Sequence, residues 1–137
     1  MAKYFSFKEL IDSETARYYG LNNLPNSLEI YKNLDYLMSN VLDVARERLG
    51  QPIKVNSGYR CDMLNSLVHG ELNSQHMKGE AADIIPIHKS DLLRLWKIII
   101  EGDIQFDQAI LYRNRGFIHI SVKRGGGNRH EILYKIQ

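Results

Sequence analysis

Apolar residues recur at helical spacing through much of the N-terminal half of the chain. The longest such run has an apolar position every three or four residues: Leu28, Tyr31, Leu34, Met38, Val41, Leu42, Ala45 and Leu49. This period predicts one long helix, which Ser27 can cap and Gly50 ends. Two shorter helices are predicted before it, one over 7–11 after Ser6 and one after Ser13 that closes at Gly20.

After Gly50 the pattern alternates between short apolar runs and further helices. A β-like run at 53–55 leads to a helix over 61–68, and a strand that ends at Pro86 precedes a helix capped by Ser90. The final third alternates in the manner of an antiparallel sheet, with predicted strands at 108–112, 117–122 and 131–136. The fold class predicted is therefore α+β, with N-terminal helices packed on a small antiparallel sheet in a single domain over 1–137.

Composition excludes several classes of protein. The 137 residues are 44% hydrophobic and 25% charged, as in ordinary globular proteins, and the net charge of +2 is too small to indicate nucleic-acid binding. The chain has no stretch of about 18 apolar residues, so no membrane span is predicted. Cys61 is the single cysteine, which excludes an internal disulfide. Since no apolar signal segment opens the sequence, we expect a protein that is cytoplasmic as synthesised.

The stretch from Ser74 to Asp83, Ser-Gln-His-Met-Lys-Gly-Glu-Ala-Ala-Asp, carries the most distinctive chemistry. Gly79 and the small residues after it disfavour a continuous helix, so we expect a loop that returns His76 to a strand carrying Asp83. His119 lies in a second strand-like run, Phe-Ile-His-Ile-Ser, on the face opposite its isoleucine neighbours. Two imidazoles and one carboxylate, with a fourth position left to water, form a ligand set of catalytic zinc.

Three motifs in this order resemble one family. They are the Ser-Gly-Tyr-Arg run at 57–60, the Ser-x-His-x-x-Gly-x-Ala-x-Asp run at 74–83, and Phe-Asp-Gln at 106–108 followed by Phe-Ile-His-Ile-Ser at 117–121. The chain resembles the zinc D-alanyl-D-alanine carboxypeptidases and related peptidoglycan endopeptidases, which share the hedgehog/DD-peptidase fold. The resemblance covers about residues 50–122, and it implies that the preceding helices belong to the family scaffold.

The resemblance implies one Zn²⁺ per chain, bound by His76, Asp83 and His119. It also implies that Arg60 holds the substrate carbonyl or the developing oxyanion, since a guanidinium keeps its charge in proteins. Ser74 and Gln108 occupy recurrent family positions and are expected to orient ligands or to line the substrate cleft, and Tyr112 is expected to contact the substrate there.

The general base is the point at which this sequence departs from the family pattern. Many relatives place a glutamate shortly before the third ligand, whereas the equivalent residue here is Tyr112. Asp107, at the start of the same strand, and Glu80, between two ligands, are the nearest carboxylates. Asp107 and Tyr112 are predicted to face opposite sides of a regular strand. The base therefore stays open between Asp107, Glu80, Tyr112 and a neighbouring histidine.

The leading hypothesis is a zinc metallopeptidase that hydrolyses D-alanine-containing peptide bonds of bacterial peptidoglycan, as a carboxypeptidase or an endolysin-type endopeptidase. The alternative is a catalytically inactive, zinc-bearing module that binds the cell wall. The expected partner is a peptidoglycan peptide, with no nucleic acid and no membrane, and the protein is expected to be a monomer. A phage lysin released to the cell wall at lysis and a cytoplasmic processing enzyme both fit the absence of a signal segment.

Overall fold

The computed structural model describes residues 2–137. Its helical segments are α1 (Phe7–Ile11), α2 (Glu14–Tyr18), α3 (Leu28–Leu37), a π-helical segment (Met38–Leu42), α4 (Asp43–Leu49), α5 (Asp62–Leu67), a 3₁₀ turn (Gln75–Lys78), a second 3₁₀ turn (Lys89–Asp91) and α6 (Leu92–Glu101). Its strands are β1 (Ile53–Ser57), β2 (Ala81–Pro86), β3 (Gln108–Tyr112), β4 (Phe117–Ser121) and β5 (Glu131–Lys135). Within residues 2–137 no helix has the length and apolarity that crossing a bilayer requires.

The five strands form one sheet in the order β1-β2-β4-β3-β5. The pairs β1–β2, β2–β4 and β4–β3 are antiparallel, but the edge strand β5 lies parallel to β3. The α+β class and the packing of N-terminal helices on the sheet are confirmed. The prediction that the last three strands are all antiparallel is wrong for β5. Because β4 ends beside the start of β3 and the 122–130 connection stays at that end of the sheet, β5 begins beside the start of β3 and runs parallel to it.

The two faces of the sheet have different roles. One face is apolar and packs against the helices, through residues that alternate along the strands and are fully or almost fully buried: Ala82, Ile84, Ala109, Leu111, Ile118 and Ile120. The other face carries Asp83, Ile110 and His119, which are aligned across β2, β3 and β4. Because side chains alternate between the faces of a strand, burying the isoleucines displays these residues on the open face.

The long helix predicted over 28–49 is interrupted. Residues 38–42 adopt a π-helical segment between α3 and α4, although the apolar residues Met38, Val41 and Leu42 in it are buried as expected. The Ser39 hydroxyl is buried there without a hydrogen-bond partner among the described residues. Gly50 ends α4 in the left-handed conformation with φ of 73°, as the sequence predicted.

Side-chain caps at the other helix starts follow the sequence in all but one case. Ser6, Ser13 and Ser27 each accept a hydrogen bond from a backbone N–H in the first turn of their helices. The predicted cap at Ser90 is wrong, because residues 89–91 form a 3₁₀ turn and α6 begins one residue later, after Asp91.

Candidate metal centre

Sheet register places two of the three predicted ligands side by side. Asp83 on β2 is the direct cross-strand neighbour of His119 on β4, and both side chains point to the open face. His76 reaches them from the 3₁₀ turn Gln75–Lys78. The Ser74 hydroxyl accepts from the backbone N–H of His76, and Gly79 ends the turn with φ of 74°. This turn reverses the chain after His76, so that it enters β2, the strand that carries Asp83.

The three side chains lie close enough to bind one ion. A nitrogen of His76, a nitrogen of His119 and an oxygen of Asp83 all lie within 4.8 Å of one another. Asp83 Oδ1 is 3.4 Å from His76 Nε2 and 3.0 Å from His119 Nδ1. Zinc bonds of about 2.0–2.1 Å at tetrahedral angles put neighbouring ligand atoms about 3.3 Å apart, so this donor set fits zinc in both chemistry and spacing.

Hydrogen bonds fix how each ligand is presented. His76 Nδ1 lies 2.7 Å from the carbonyl oxygen of Gly58, to which it donates, so its Nε2 is left free to face Asp83. Burial by itself would raise the pKa of the Asp83 carboxyl, but its contacts with the imidazoles of His119 and His76 outweigh it. The pKa of Asp83 therefore lies well below its ordinary value, and the side chain is anionic at neutral pH, as binding a cation requires.

Arg60 lies directly behind the ligand Asp83. Its Nη2 is 3.4 Å from Asp83 Oδ2, its Nε donates to the Ser57 hydroxyl at 3.0 Å, and its Nη1 donates to Asn65 Oδ1 at 3.2 Å. Burial lowers the pKa of Arg60, and the Asp83 charge acts in the opposite direction. The guanidinium is thus held in one orientation, with its charge beside the cluster.

Sequence reasoning missed the two residues that hold Arg60 in place, Asn65 and Ser57. Asn65 is 4% exposed and joins Arg60 to the backbone carbonyl of Glu71, to which its Nδ2 donates at 2.8 Å. Gly70 packs so closely that a Cβ there would lie 2.0 Å from Asn65 Oδ1. Ser57 had a signal, since it begins the Ser-Gly-Tyr-Arg run. Asn65 had none, because a single polar residue in a short helix usually faces solvent.

The cluster lies in a cleft of about 1150 Å³ on the open face of the sheet. Residues from every strand line this cleft, including Ser57, Asp83, Gln108, His119 and Lys135. An open face of this width gives an extended peptide access to the three ligands.

The structure brings the residues predicted to bind substrate to the same cleft, at different distances from the cluster. Ser74 caps the turn that carries His76, as described above, and lines the cleft. Gln108 is two residues along β3 from the position opposite His119, and its Nε2 donates to Glu131 Oε1 at 2.5 Å. Tyr112 is two residues from that position in the other direction and stacks on Phe117 with ring centroids 4.4 Å apart.

The two carboxylates considered as general bases have different surroundings. Asp107 precedes β3 and is 0% exposed, and its carboxylate accepts three hydrogen bonds from the Arg129 side chain and one from the Arg129 backbone. Burial would raise the pKa of Asp107, but the bonds from Arg129 lower it below its ordinary value. Glu80 lines the cleft and accepts from Gln75 Nε2 at 3.2 Å. Asp107 is therefore a poor proton acceptor at neutral pH, since a base works best with a pKa near the operating pH.

Comparison with known proteins gives one family. The family model described as Peptidase M15 matches residues 3–121. That range includes His76, Asp83, His119 and Arg60, and it ends before β5. Comparison with curated proteins finds no match.

Proposed function

The chain belongs to the Peptidase M15 family, a family of zinc-dependent peptidases, and on that premise we propose that it hydrolyses D-alanine-containing peptide bonds of bacterial peptidoglycan. The observation that carries the proposal is the meeting of His76, Asp83 and His119 at the floor of an open cleft. Three protein ligands with a fourth position left free distinguish a catalytic zinc site from a structural one, which closes with four.

The donor set fits zinc, which His76 Nε2, Asp83 Oδ1 and His119 Nδ1 would hold. When bound, zinc supplies a Lewis acid that polarises the scissile carbonyl and lowers the pKa of a water molecule to about 7. The Gly58 carbonyl keeps His76 in the tautomer that leaves Nε2 free, and Arg60 keeps one oxygen of Asp83 turned away from the histidines.

Arg60 also supplies permanent positive charge to the cleft. Its guanidinium is held by Ser57 and Asn65 and requires no reorganisation when negative charge develops on the substrate's carbonyl oxygen. The two roles are compatible, because an arginine offers five N–H donors and the hydrogen bonds to Ser57, Asn65 and Asp83 use three of them.

The proton acceptor is proposed to be Glu80 or Tyr112 in preference to Asp107. The Glu80 carboxylate lines the cleft and accepts one hydrogen bond, whereas both oxygens of the Asp107 carboxylate accept hydrogen bonds from Arg129. Tyr112 lies on the face of His119 but carries a phenol where relatives carry a carboxylate. Substitution of Glu80 by Gln and of Tyr112 by Phe separates the two candidates, and the one whose loss lowers kcat is the acceptor.

The test is mass-spectrometric product analysis. Zinc-loaded protein is incubated with purified peptidoglycan and with a peptide ending in D-alanyl-D-alanine. Free D-alanine identifies a carboxypeptidase, and severed cross-bridges identify an endopeptidase. Both products should vanish with a chelator or with His76→Ala, and should persist with His88→Ala, which removes an exposed histidine outside the cleft. Intact substrate over a broad pH range, with zinc bound, contradicts the proposal.

A second candidate function is a zinc-bearing module that binds the cell wall without cleaving it. Tyr112 is the observation that favours it, because this position holds the general base in many relatives and here its ring packs flat on Phe117 at an interplanar angle of 13°. The variant Tyr112→Glu discriminates between the two functions. If the wild type binds peptidoglycan without products and the variant releases them, the chain has kept the ligands and lost the base.

The biological setting remains a proposal as well. A lysin released to the cell wall at lysis and a cytoplasmic enzyme that trims peptidoglycan precursors both use this chemistry. Cross-linked peptidoglycan and soluble precursor peptides, compared in the assay above, distinguish the two settings by which substrate is turned over faster.

A further inference from the structure

One end of the cleft combines aromatic rings with cations. Tyr112 pairs across the sheet with Phe117 on one side and with Lys135 on the other, so the three residues form a row on the open face. Lys135 Nζ lies 5.5 Å from the centroid of the Tyr112 ring, and Arg115 Cζ lies 5.0 Å from that of Phe117. Both distances are within the range of cation–π contacts, about 6 Å. The Phe117 and Tyr112 rings thus position the positive charges of Arg115 and Lys135 at the wall of the cleft.

Within residues 2–137 these two charges have no carboxylate partner. None of the ion pairs formed by residues 2–137 includes Arg115 or Lys135. At the opposite end of β3, beyond Gln108, Lys123 and Arg129 are paired with the buried Asp107, and Arg129 also pairs with Glu131. The two ends of β3 therefore differ, and the positive charge without a carboxylate partner is at the Tyr112 end.

The distance from the metal ligands to this end corresponds to a short piece of peptide. Phe117 is two residues from His119 along β4, about 7 Å in a strand. An extended peptide advances by about 3.3 Å per residue. A substrate whose scissile carbonyl lies at the three ligands thus comes level with this row after about two residues. The Lys135 ammonium, 5.5 Å from the Tyr112 ring on the strand beside β4, and the long side chain of Arg115 are then within reach of the peptide.

We propose that Arg115 and Lys135 form a subsite for a carboxylate of the substrate peptide, one or two residues from the scissile bond. The inference rests on the proposed function for the position of that bond. The subsite is partly outside the residues that the family model matches, because Lys135 follows residue 121. A short peptide can supply this carboxylate in two ways, as the terminal α-carboxylate or as an acidic side chain. We favour the α-carboxylate, because it is the carboxylate nearest to the cleaved bond when a peptide is cleaved at its C-terminal residue.

Binding measured on metal-free protein tests the subsite apart from catalysis. Three peptides are titrated into isotope-labelled protein and followed by NMR: one ends in D-alanyl-D-alanine as the free acid, one is its C-terminal amide, and one is the amide with a glutamate two residues from the end. We expect the free acid to bind about tenfold more tightly than the amide, since hydrogen bonds to charged groups are the strong ones. Added salt should reduce this preference.

The variants locate the preference. Arg115→Gln with Lys135→Gln should abolish it, and Lys135→Arg should keep it. Lys54→Gln is the matched control, because Lys54 also lines the cleft but lies on β1, four strand spacings and about 19 Å from β5. Equal affinity for acid and amide in the wild type overturns the subsite, as does an equal loss of the preference in Lys54→Gln.

The remaining outcomes are also assigned. Tight binding of the glutamate-containing amide that is lost in the double variant overturns the α-carboxylate and identifies a side-chain carboxylate as the ligand. No measurable binding of any peptide by the folded protein overturns the subsite. Failure of the proposed function has a different signature, since zinc-loaded protein would then yield no product while the acid–amide preference persists.

Discussion

The substitution Asp107→Asn examines a buried charge that lies beside the cleft. Asp107 is 0% exposed, Arg129 donates to both of its oxygens, and Lys123 Nζ lies 3.7 Å from Oδ1. Asparagine keeps the size of the side chain and one acceptor oxygen, but it removes the charge and turns an NH₂ group toward the guanidinium. The substitution therefore removes electrostatic partners without opening a cavity.

The magnitude follows from the burial of the two partners. Breaking a fully buried ion pair by removing one side costs about 3–5 kcal/mol. The Arg129 side chain is 51% exposed, so water screens part of this interaction and hydrates the arginine that remains. We expect Asp107→Asn to lower the free energy of unfolding by about 2 kcal/mol at pH 7.

The pH dependence has a definite sign. The pKa of Asp107 is lower in the folded chain than in the unfolded chain, where it is about 3.9, so the unfolded state binds the proton first. The stabilisation is fully present above the unfolded pKa and is lost as the pH falls through it toward the folded pKa. The difference between wild type and variant should hence be constant from pH 7 to about 5 and shrink below about 4.

Urea unfolding of metal-free protein at a series of pH values measures both effects. Asp103→Asn is the control, because its ion pair with Arg48 is exposed, with 84% of the Asp103 side chain accessible, and its loss should change the stability much less. Equal stability of wild type and Asp107→Asn at pH 7 would refute the reasoning, and so would a difference that persists unchanged at pH 2.5. Product analysis on the same variant then reports whether Asp107 also takes part in turnover.

Three further predictions concern the metal centre and its supports. Asn65→Ala should weaken zinc binding about tenfold, because it releases Arg60 from its position behind Asp83. Competition with a chromophoric chelator measures the zinc affinity, and Ser66→Ala, at an exposed neighbour on α5, is the control. Gly79→Ala should destabilise the chain by about 2 kcal/mol, because φ is 74° and the new Cβ would lie 2.7 Å from a backbone oxygen of α3. Gly116→Ala has a similar φ of 77° with open space around it, so a smaller loss there isolates the clash, whereas equal losses reject it. Zinc at 100 times its Kd should raise the free energy of unfolding of the wild type by about 2.7 kcal/mol and leave that of His76→Ala unchanged. Equal increases in the calorimetric Tm of both proteins would contradict the ligand assignment.

The meeting of His76, Asp83 and His119 could be predicted because its signals are local. A glycine after a short polar turn, followed by small residues and an apolar run, predicted that the chain returns His76 to the strand of Asp83, and the structure places their side chains 3.4 Å apart. His119 alternates with isoleucines, and burying those isoleucines directs its imidazole to the cleft. In each case the information lies within ten residues of the ligand.

The features that sequence did not predict depend on contacts that leave no local pattern in the sequence. The alternation in 131–136 specifies which side of β5 is buried, but both kinds of ladder have a period of two, so it does not specify the parallel pairing with β3. The setting of Arg60 depends on Asn65 and Ser57, and that of Asp107 depends on Arg129, 22 residues away. The π-helical segment inside the long helix leaves the apolar period almost intact, so periodicity does not reveal it.

The order of the strands has a consequence for the kinetics of metal exchange. Asp83 and His119 lie on β2 and β4, which have neighbours on both sides, so their separation changes only when the sheet itself opens. His76 is carried by a four-residue turn outside the sheet, a kind of segment that opens locally at much lower free energy. We expect the amides of 75–79 to exchange with deuterium far faster than those of β2 and β4. An ion would then leave on the timescale of that turn, by releasing His76 first while the other two ligands keep their positions.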